Sequence, residues 1–232
     1  MMKKTILCFF TALALTACGN ATVDTADNVV NETTTTKMVQ KFDGAALDTV
    51  LSVQSDKAKA RYEARHPQET LEFFGIAPGM KVAEALPGGG WYSKILVPYL
   101  GDEGHLVGID YSLKMWPEFG GFANAEFLEK KKGWAAEWVA GAQAWRNGSQ
   151  GSIDAFTFGG RDVAMDGKLD AILFIRALHN LSRFEDKGGY LTEALSESHA
   201  LLKPGGIVGV VQHQGPEGND CLLYTSPSPR DS

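Results

Sequence analysis

The segment Lys81–Ser93, KVAEALPGGGWYS, combines a short buried strand, a glycine turn and the start of a helix. The strand leads into Pro87-Gly88-Gly89-Gly90, and an amphipathic helix is predicted from Trp91. Glycines let the backbone approach a ligand closely, and the free N–H groups of a first helical turn favour an anionic group. The segment therefore predicts a cradle for a nucleotide-like ligand. The same order of elements also occurs in α/β folds as plain architecture.

A second apolar run, His105–Asp110, ends on an acid twenty positions after Gly90. An acidic residue at the tip of the second strand is where a ribose diol is bound in dinucleotide folds. Gly88-x-Gly90-x-x-Ser93 only approaches the G-x-G-x-x-G pattern, and Glu84 stands where a nicotinamide-binding strand usually has an apolar residue. An acid there would meet a cationic amine, so a nicotinamide-dependent oxidoreductase is disfavoured.

These residues resemble motif I of the class I S-adenosylmethionine-dependent methyltransferases, acid-x-G-x-G-x-G. Glu84, Gly88 and Gly90 match the motif, and Leu86 replaces its first glycine. Leu201–Gly206, LLKPGG, resembles the family's turn into strand five, and Leu169–Ile175 resembles strand four. The resemblance covers residues 57–215 and is closest to uncharacterised methyltransferases of bacterial envelopes.

The resemblance implies an α/β, Rossmann-like methyltransferase fold with a mostly parallel sheet and helices on both faces. It also implies S-adenosylmethionine as cofactor and a small or lipid-like methyl acceptor. The alternative is a non-catalytic binding protein that retains the fold. The implied cofactor-binding residues are Glu84, Ala85, Leu86, Pro87, Gly88, Gly89, Gly90, Asp110, Tyr111 and Asp162.

Within that family, the first acid lies near the methionyl ammonium and Asp110 would hold the ribose hydroxyls. Asp162, after strand three, would meet the adenine amino group, or is a solvated turn residue. His179, after strand four, is the candidate general base or substrate-orienting residue, and a hydrogen-bonded loop histidine is the alternative. Asn180 and Tyr92 are candidate substrate contacts, although Tyr92 could instead pack against the preceding helix.

The N-terminus has the pattern of a bacterial lipoprotein signal. Lys3 and Lys4 precede the short apolar run 6–14, and Leu15–Cys18 matches a lipobox, which makes Cys18 the predicted lipidation site. Residues 1–18 are then the signal and 19–40 a flexible tether. The absence of Asp after the cysteine indicates the outer membrane, facing the periplasm. An ordinary secretory signal with a chance cysteine is the alternative.

The methyltransferase-like domain is expected to span residues 41–219. Residues 220–232 have no hydrophobic period and are expected to be a non-native tail, with a genuine disordered tail as the alternative. Because the family's sheet continues after strand five, the last strands are expected to be missing.

Cysteine usage and charge limit the function classes. The three cysteines, at positions 8, 18 and 221, all lie outside the expected domain, which argues against a disulfide framework and a Cys-rich metal site. No metal is expected. The net charge of −6 and the lack of a basic face argue against a nucleic-acid partner.

Hydrophobic periodicity predicts strands alternating with helices, hence a parallel sheet. The Trp-rich connection 112–147 is either core or an apolar lid over the substrate. Predicted strands cover 81–85, 105–110, part of 152–158, 169–175 and 206–212, and predicted helices cover 43–64, 67–75, 91–100, 135–145 and 187–202.

Overall fold

A computed structural model describes residues 41–213 of the 232-residue chain. The predicted lipoprotein signal with Cys18, the predicted tether 19–40 and all of the expected tail 220–232 therefore lie outside the described residues. Within the described part of the chain, no helix is long and apolar enough to cross a membrane.

Five parallel strands form one sheet in the order β3-β2-β1-β4-β5, which confirms the predicted α/β fold with a parallel sheet. The chain builds outward from β1 to β3 and then returns to place β4 on the other side of β1. The strands are β1 Lys81–Ala85, β2 His105–Asp110, β3 Ser152–Thr157, β4 Leu169–Ile175 and β5 Leu202–Val211.

The strand positions follow from short apolar runs bounded by glycine and polar residues. Strands β1, β2 and β4 have the predicted bounds. Both faces of each strand are covered, so nearly every residue is buried and the strand coincides with an apolar run. Strand β5 differs from the prediction, because it begins at Leu202 rather than at 206. Leu169 pairs with Leu202 but Ala171 pairs with Ile207, so Lys203–Gly206 form an irregularity within the strand.

The helices are α1 Gly44–Ser52, α2 Asp56–Lys59, α3 Tyr62–Arg65, α4 Pro67–Phe73, α5 Ser93–Leu100, α6 Ala125–Lys132, α7 Trp134–Ala142, α8 Leu178–Arg183, α9 Glu185–Gly188 and α10 Tyr190–Leu201. The single helix predicted over 43–64 is wrong, since three short helices occupy that range. A new helix begins after Ser55, whose Oγ accepts a hydrogen bond from the Ala58 N–H at 3.3 Å.

Helices cover both faces of the sheet. One face carries Val82, Leu106 and Leu173 and packs against α1, α5 and α7. The opposite face carries Ala83, Val107 and Phe174 and packs against α8 and α10. The alternation of these residues along each strand accounts for two separate hydrophobic cores. Both cores leave the carboxyl ends of the strands free to carry polar groups.

Trp138 of α7 explains a glycine in the middle of β2. A Cβ placed on Gly108 would lie 2.9 Å from the Trp138 ring, so only glycine lets the indole lie flat on the sheet. The Trp138 side chain is 7% exposed. This part of the Trp-rich connection is therefore core.

Candidate functional site

The strand order reverses between β1 and β4, and in open α/β sheets ligands bind beyond the carboxyl ends of the strands at such a point. Leu86 follows β1 and donates its N–H to the Ile109 carbonyl of β2 at 2.6 Å. Arg176 follows β4 and donates its N–H to the Val211 carbonyl of β5 at 2.7 Å. Leu86 is thus bonded to β2 and Arg176 to β5. The two connections diverge from each other, which leaves space above the β1–β4 pair.

The glycine turn closes above β1. The Gly90 N–H donates to the Pro87 carbonyl at 2.8 Å, and Lys94 donates to the Gly90 carbonyl at 2.9 Å. Helix α5 then begins at Ser93, two residues later than predicted. A Cβ on Gly88 or Gly89 would meet nothing within 4 Å, so there is space for a ligand beside the turn.

Glu84 lies beneath this turn and is 4% exposed. Its Oε2 accepts a hydrogen bond from Ser93 Oγ at 2.5 Å. Burial raises the pKa of Glu84 to about 7, against the opposing effects of Ser93 and the Arg65 charge. A cationic ligand group nearby would favour the ionised carboxylate, so the site fits a ligand that carries an ammonium.

Asp110, at the end of β2, forms an ion pair with a residue that the sequence did not indicate. Lys131 Nζ of α6 lies 2.8 Å from Asp110 Oδ2, and both side chains are largely buried. Burial raises the pKa of Asp110, whereas the hydrogen bond and charge of Lys131 lower it. The ammonium also lies 4.0 Å from the centre of the Trp116 ring, a cation–π contact. A ribose bound at Asp110 has to displace Lys131 or share the carboxylate with it.

Tyr111 links the end of β2 to the helix after β4. Asn180 Nδ2 donates to the Tyr111 hydroxyl at 2.9 Å. Burial raises the pKa of Tyr111 to about 12, so the phenol is neutral in the physiological range. Six rings pack around this point and are here named the aromatic cluster: Tyr111, Trp116, Phe119, Phe122, Phe127 and Phe184.

His179, the candidate base, lies in the first turn of α8 and is half-buried. Burial lowers its pKa, and the charges of Arg176 and His213 lower it further. Its Nδ1 is buried and has no hydrogen-bond partner among residues 41–213. The imidazole is therefore neutral near pH 7 and has a nitrogen available for a ligand.

Two candidates lie elsewhere. Tyr92 is 2% exposed and donates its hydroxyl to the Arg65 carbonyl at 2.8 Å, which is the packing alternative named for it above. Asp162 accepts from the Ala164 N–H at 2.8 Å and lines a cleft with Lys81 and His105, the first residues of β1 and β2. This placement does not favour a contact between Asp162 and adenine, which stays a prediction.

Sequence reasoning missed Ser93 and Lys131 as site residues. Ser93 is nine residues from Glu84, and a serine at the first position of the helix after the glycine turn was the available signal. Lys131 is one of three consecutive lysines, and nothing in the sequence separates it from Lys130 or Lys132.

The comparisons with known proteins concern structure alone, since no family model and no curated protein matches the chain. An S-adenosylmethionine-dependent methyltransferase from Aquifex aeolicus shares 18% identity over 80% of this chain and 82% of its own, with a TM-score of 0.45. The CurJ carbon methyltransferase shares 15% identity over 75% of this chain and 40% of its own, with a TM-score of 0.42.

An arsenic(III) S-adenosylmethionine methyltransferase from Chlamydomonas reinhardtii shares 15% identity over 70% of this chain and 47% of its own, with a TM-score of 0.35. This chain thus spans less than half the length of two of the three. The function has to be argued from the residues of the chain itself.

Proposed function

We propose that the chain is an S-adenosylmethionine-dependent methyltransferase that acts on a small or lipid-like acceptor in the bacterial envelope. The observation that carries this proposal is that the glycine turn and Asp110 are neighbours at the carboxyl ends of β1 and β2. The β1–glycine turn, with Glu84 beneath it, lies directly beside Asp110, because Ala85 pairs with Ile109 in the parallel ladder.

Each part of this edge matches one part of the donor. The space beside Gly88 and Gly89 admits a ligand, and the carboxylate of Asp110 can accept hydrogen bonds from two ribose hydroxyls. Glu84, with its pKa near neutral, would be held ionised by an ammonium. These three features together favour an amino-acid nucleoside over a dinucleotide.

When bound, S-adenosylmethionine supplies a methyl group that the acceptor atom attacks in line, while the electron pair of the broken C–S bond remains on sulfur. Most of the catalysis by the protein is then alignment of the two reactants. His179, with its lowered pKa, can take a proton from an acceptor that carries one. Asn180, held by the Tyr111 hydroxyl, would orient the acceptor.

The envelope location rests on the lipobox at Leu15–Cys18 and is tested separately from the chemistry. Cells that express the chain are labelled with a fatty-acid probe and fractionated. Label on the intact chain in the outer membrane, lost in Cys18→Ser, supports lipidation and the outer-membrane location. Label that persists in Cys18→Ser contradicts it.

Calorimetric titration with S-adenosylmethionine and S-adenosylhomocysteine tests the cofactor directly. The sample is the full chain carrying Cys18→Ser, so that it is not lipidated. We expect micromolar binding that is weakened at least tenfold in Asp110→Asn. The matched control is Asp102→Asn, since Asp102 instead accepts a hydrogen bond from the Gln150 N–H. Equal affinity of the two variants would remove Asp110 from the site.

The alternative function is a binding protein that has the fold without catalysis. The observation that favours it is the Asp110–Lys131 ion pair, which occupies the acid expected to hold the ribose. Absence of donor binding by a folded sample, and by the Lys131→Met variant, would support this alternative.

A further inference from the structure

Three polar side chains with unsatisfied atoms lie at the carboxyl ends of β4 and β5. Arg176 follows β4, Gln212 follows β5, and His179 lies in the first turn of α8. The hydrogen bond from the Arg176 N–H to the Val211 carbonyl places Arg176 beside the end of β5, next to Gln212. The three residues therefore share one edge of the sheet.

Apart from three tryptophan indoles, these three residues hold all the buried unsatisfied side-chain atoms of the described residues. Seven buried side-chain nitrogen or oxygen atoms have no hydrogen-bond partner among the described residues. Three are indole nitrogens, and the other four are Arg176 Nε, His179 Nδ1, Gln212 Nε2 and Gln212 Oε1. A buried polar group without a partner destabilises the folded state, and folded proteins leave few of them. Such a concentration at one edge indicates polar groups that await a ligand.

The charge at this edge is positive, and no ion pair with a carboxylate of residues 41–213 balances it. Arg161 pairs with Asp166 and Glu197, and Lys203 pairs with Asp170, but Arg176 forms no ion pair with any residue in 41–213. The charges of Arg176 and His213 both act on His179. A half-buried guanidinium without a carboxylate is the group that binds carboxylates and phosphates through two parallel hydrogen bonds.

The backbone of Arg176 also indicates a function for its side chain. Its φ of 58° lies in the left-handed region, which is strained for a residue other than glycine. Glycine or asparagine would suit this conformation better. The position thus has an arginine despite the strain.

The edge lies at the acceptor's end of the proposed site. Strands in a sheet are about 4.8 Å apart, so the ends of β2 and β4, on either side of β1, are about 10 Å apart. Asp110 marks the donor side, and the hydrogen bond from Asn180 to Tyr111 spans the gap to α8. Arg176 and Asp110 therefore lie at strand ends on opposite sides of β1.

We propose that Arg176, His179 and Gln212 bind an oxyanion carried by the methyl acceptor, which is therefore a small acid. The guanidinium and the Gln212 amide donate to the oxyanion, and His179 Nδ1–H provides a third donor. The aromatic cluster, joined to this edge through Tyr111 and Asn180, is the apolar surface available to the remainder of the acid. The claim that the oxyanion belongs to a methyl acceptor rests on the proposed function. The claim that an oxyanion binds here does not.

The test uses benzoate, inorganic phosphate and the neutral benzamide as probes on the full chain with Cys18→Ser. Their binding is followed by NMR at the histidine rings, without donor. We expect benzoate to bind at least tenfold more tightly than benzamide and to raise the pKa of His179. If phosphate binds more tightly than benzoate, the acceptor is a phosphate ester, whereas the reverse order indicates a carboxylic acid.

Arg176→Asn is the main variant, because asparagine tolerates the left-handed backbone while lacking the guanidinium. The matched control is Arg161→Asn, since the guanidinium of Arg161 pairs with Asp166 and Glu197 instead. We expect at least a tenfold loss of benzoate affinity in Arg176→Asn and none in Arg161→Asn. Gln212→Glu, which introduces a negative charge in nearly the same shape, should abolish binding and serves if Arg176→Asn does not fold.

The proposal is overturned if benzoate and phosphate bind no better than benzamide, or if the Arg176 and Arg161 variants behave alike. Donor titration is a separate experiment on the same samples. Oxyanion binding without donor binding would refute the methyltransferase assignment and retain the oxyanion site. Donor binding without oxyanion binding would refute the oxyanion site and retain the methyltransferase assignment.

Discussion

Leu86 and Arg176 are equivalent residues, because each is the first residue after a central strand and each has a left-handed backbone, with φ of 56° and 58°. They follow β1 and β4, the two strands between which the strand order reverses. Leu86 also occupies the position of the first glycine in the methyltransferase motif. Glycine adopts the left-handed conformation without strain, whereas leucine does not. Leu86 therefore keeps the turn but has a strained backbone.

Replacement of Leu86 tests this strain. A left-handed Leu costs roughly 1–2 kcal/mol, and Ala keeps the strain whereas Gly removes it. We expect Leu86→Gly to have a free energy of unfolding about 1 kcal/mol higher than that of Leu86→Ala, measured in urea. At Leu113, which has no left-handed backbone, the order should be reversed, with Ala more stable than Gly. The same order at both positions would contradict the prediction.

Glu84 should make the protein less stable as the pH rises. Its pKa is about 7 in the folded chain and near 4.5 when unfolded, so the folded state binds more protons between these values. The free energy of unfolding therefore falls as the pH rises from about 4.5 to 7, by at most about 3 kcal/mol.

Glu84→Gln should lack this fall in stability, because the amide does not titrate. The measurement is urea unfolding at pH 5 and pH 8. Glu129→Gln is the matched control, since Glu129 is exposed and paired with Lys132. If wild type and Glu84→Gln change equally between the two pH values, the raised pKa is refuted.

Lys131→Met should increase donor affinity severalfold, because it removes the competitor of the ribose at Asp110. The same change should lower the free energy of unfolding by about 3 kcal/mol, since it leaves Asp110 buried and unpaired. Lys132→Met, one position along the helix, should change neither quantity. Affinity is measured by calorimetry and stability in urea. A Lys131→Met variant that binds S-adenosylhomocysteine more weakly than wild type would show that Lys131 assists the ligand instead.

Gly108→Ala should destabilise the domain by about 1–3 kcal/mol, because the new methyl group would lie 2.9 Å from the Trp138 ring. Gly141→Ala is the control, since a Cβ there meets nothing within 4 Å and Gly141 lies inside α7. That change should raise the free energy of unfolding by about 0.5–1 kcal/mol. The two thermal midpoints should therefore move in opposite directions, and a parallel shift would contradict the packing described.

The strands could be predicted because their signals are local. A buried parallel strand is a short apolar run, and glycine and polar residues mark its ends, as at Lys81–Ala85 and Leu169–Ile175. The helices at the N-terminus were less predictable. The apolar spacing continues through Ser55, and only the capping hydrogen bond of that serine shows that one helix ends and another begins.

The sequence predicts only those site residues that directly follow or end a single strand. Asp110 and the glycine turn follow from position along the chain alone. The partner of Asp110 does not, because Lys131 reaches it from a helix 21 residues later, and its two lysine neighbours have the same propensities. The unsatisfied atoms of Arg176 and Gln212 likewise depend on the pairing of β4 with β5, which no local pattern reveals.

The reversal of strand order has a consequence for how the chain is synthesised. Strands β1, β2 and β3 pair with their neighbours in sequence, so this half of the sheet can assemble as soon as residue 157 has left the ribosome. Strand β4 comes later and closes against β1, where Val82 pairs with Ala171 and Asp170 Oδ2 accepts from the Lys81 N–H at 2.7 Å. The nascent chain thus passes through a stage at which the glycine turn and Asp110 are in place while Arg176 is still inside the ribosome.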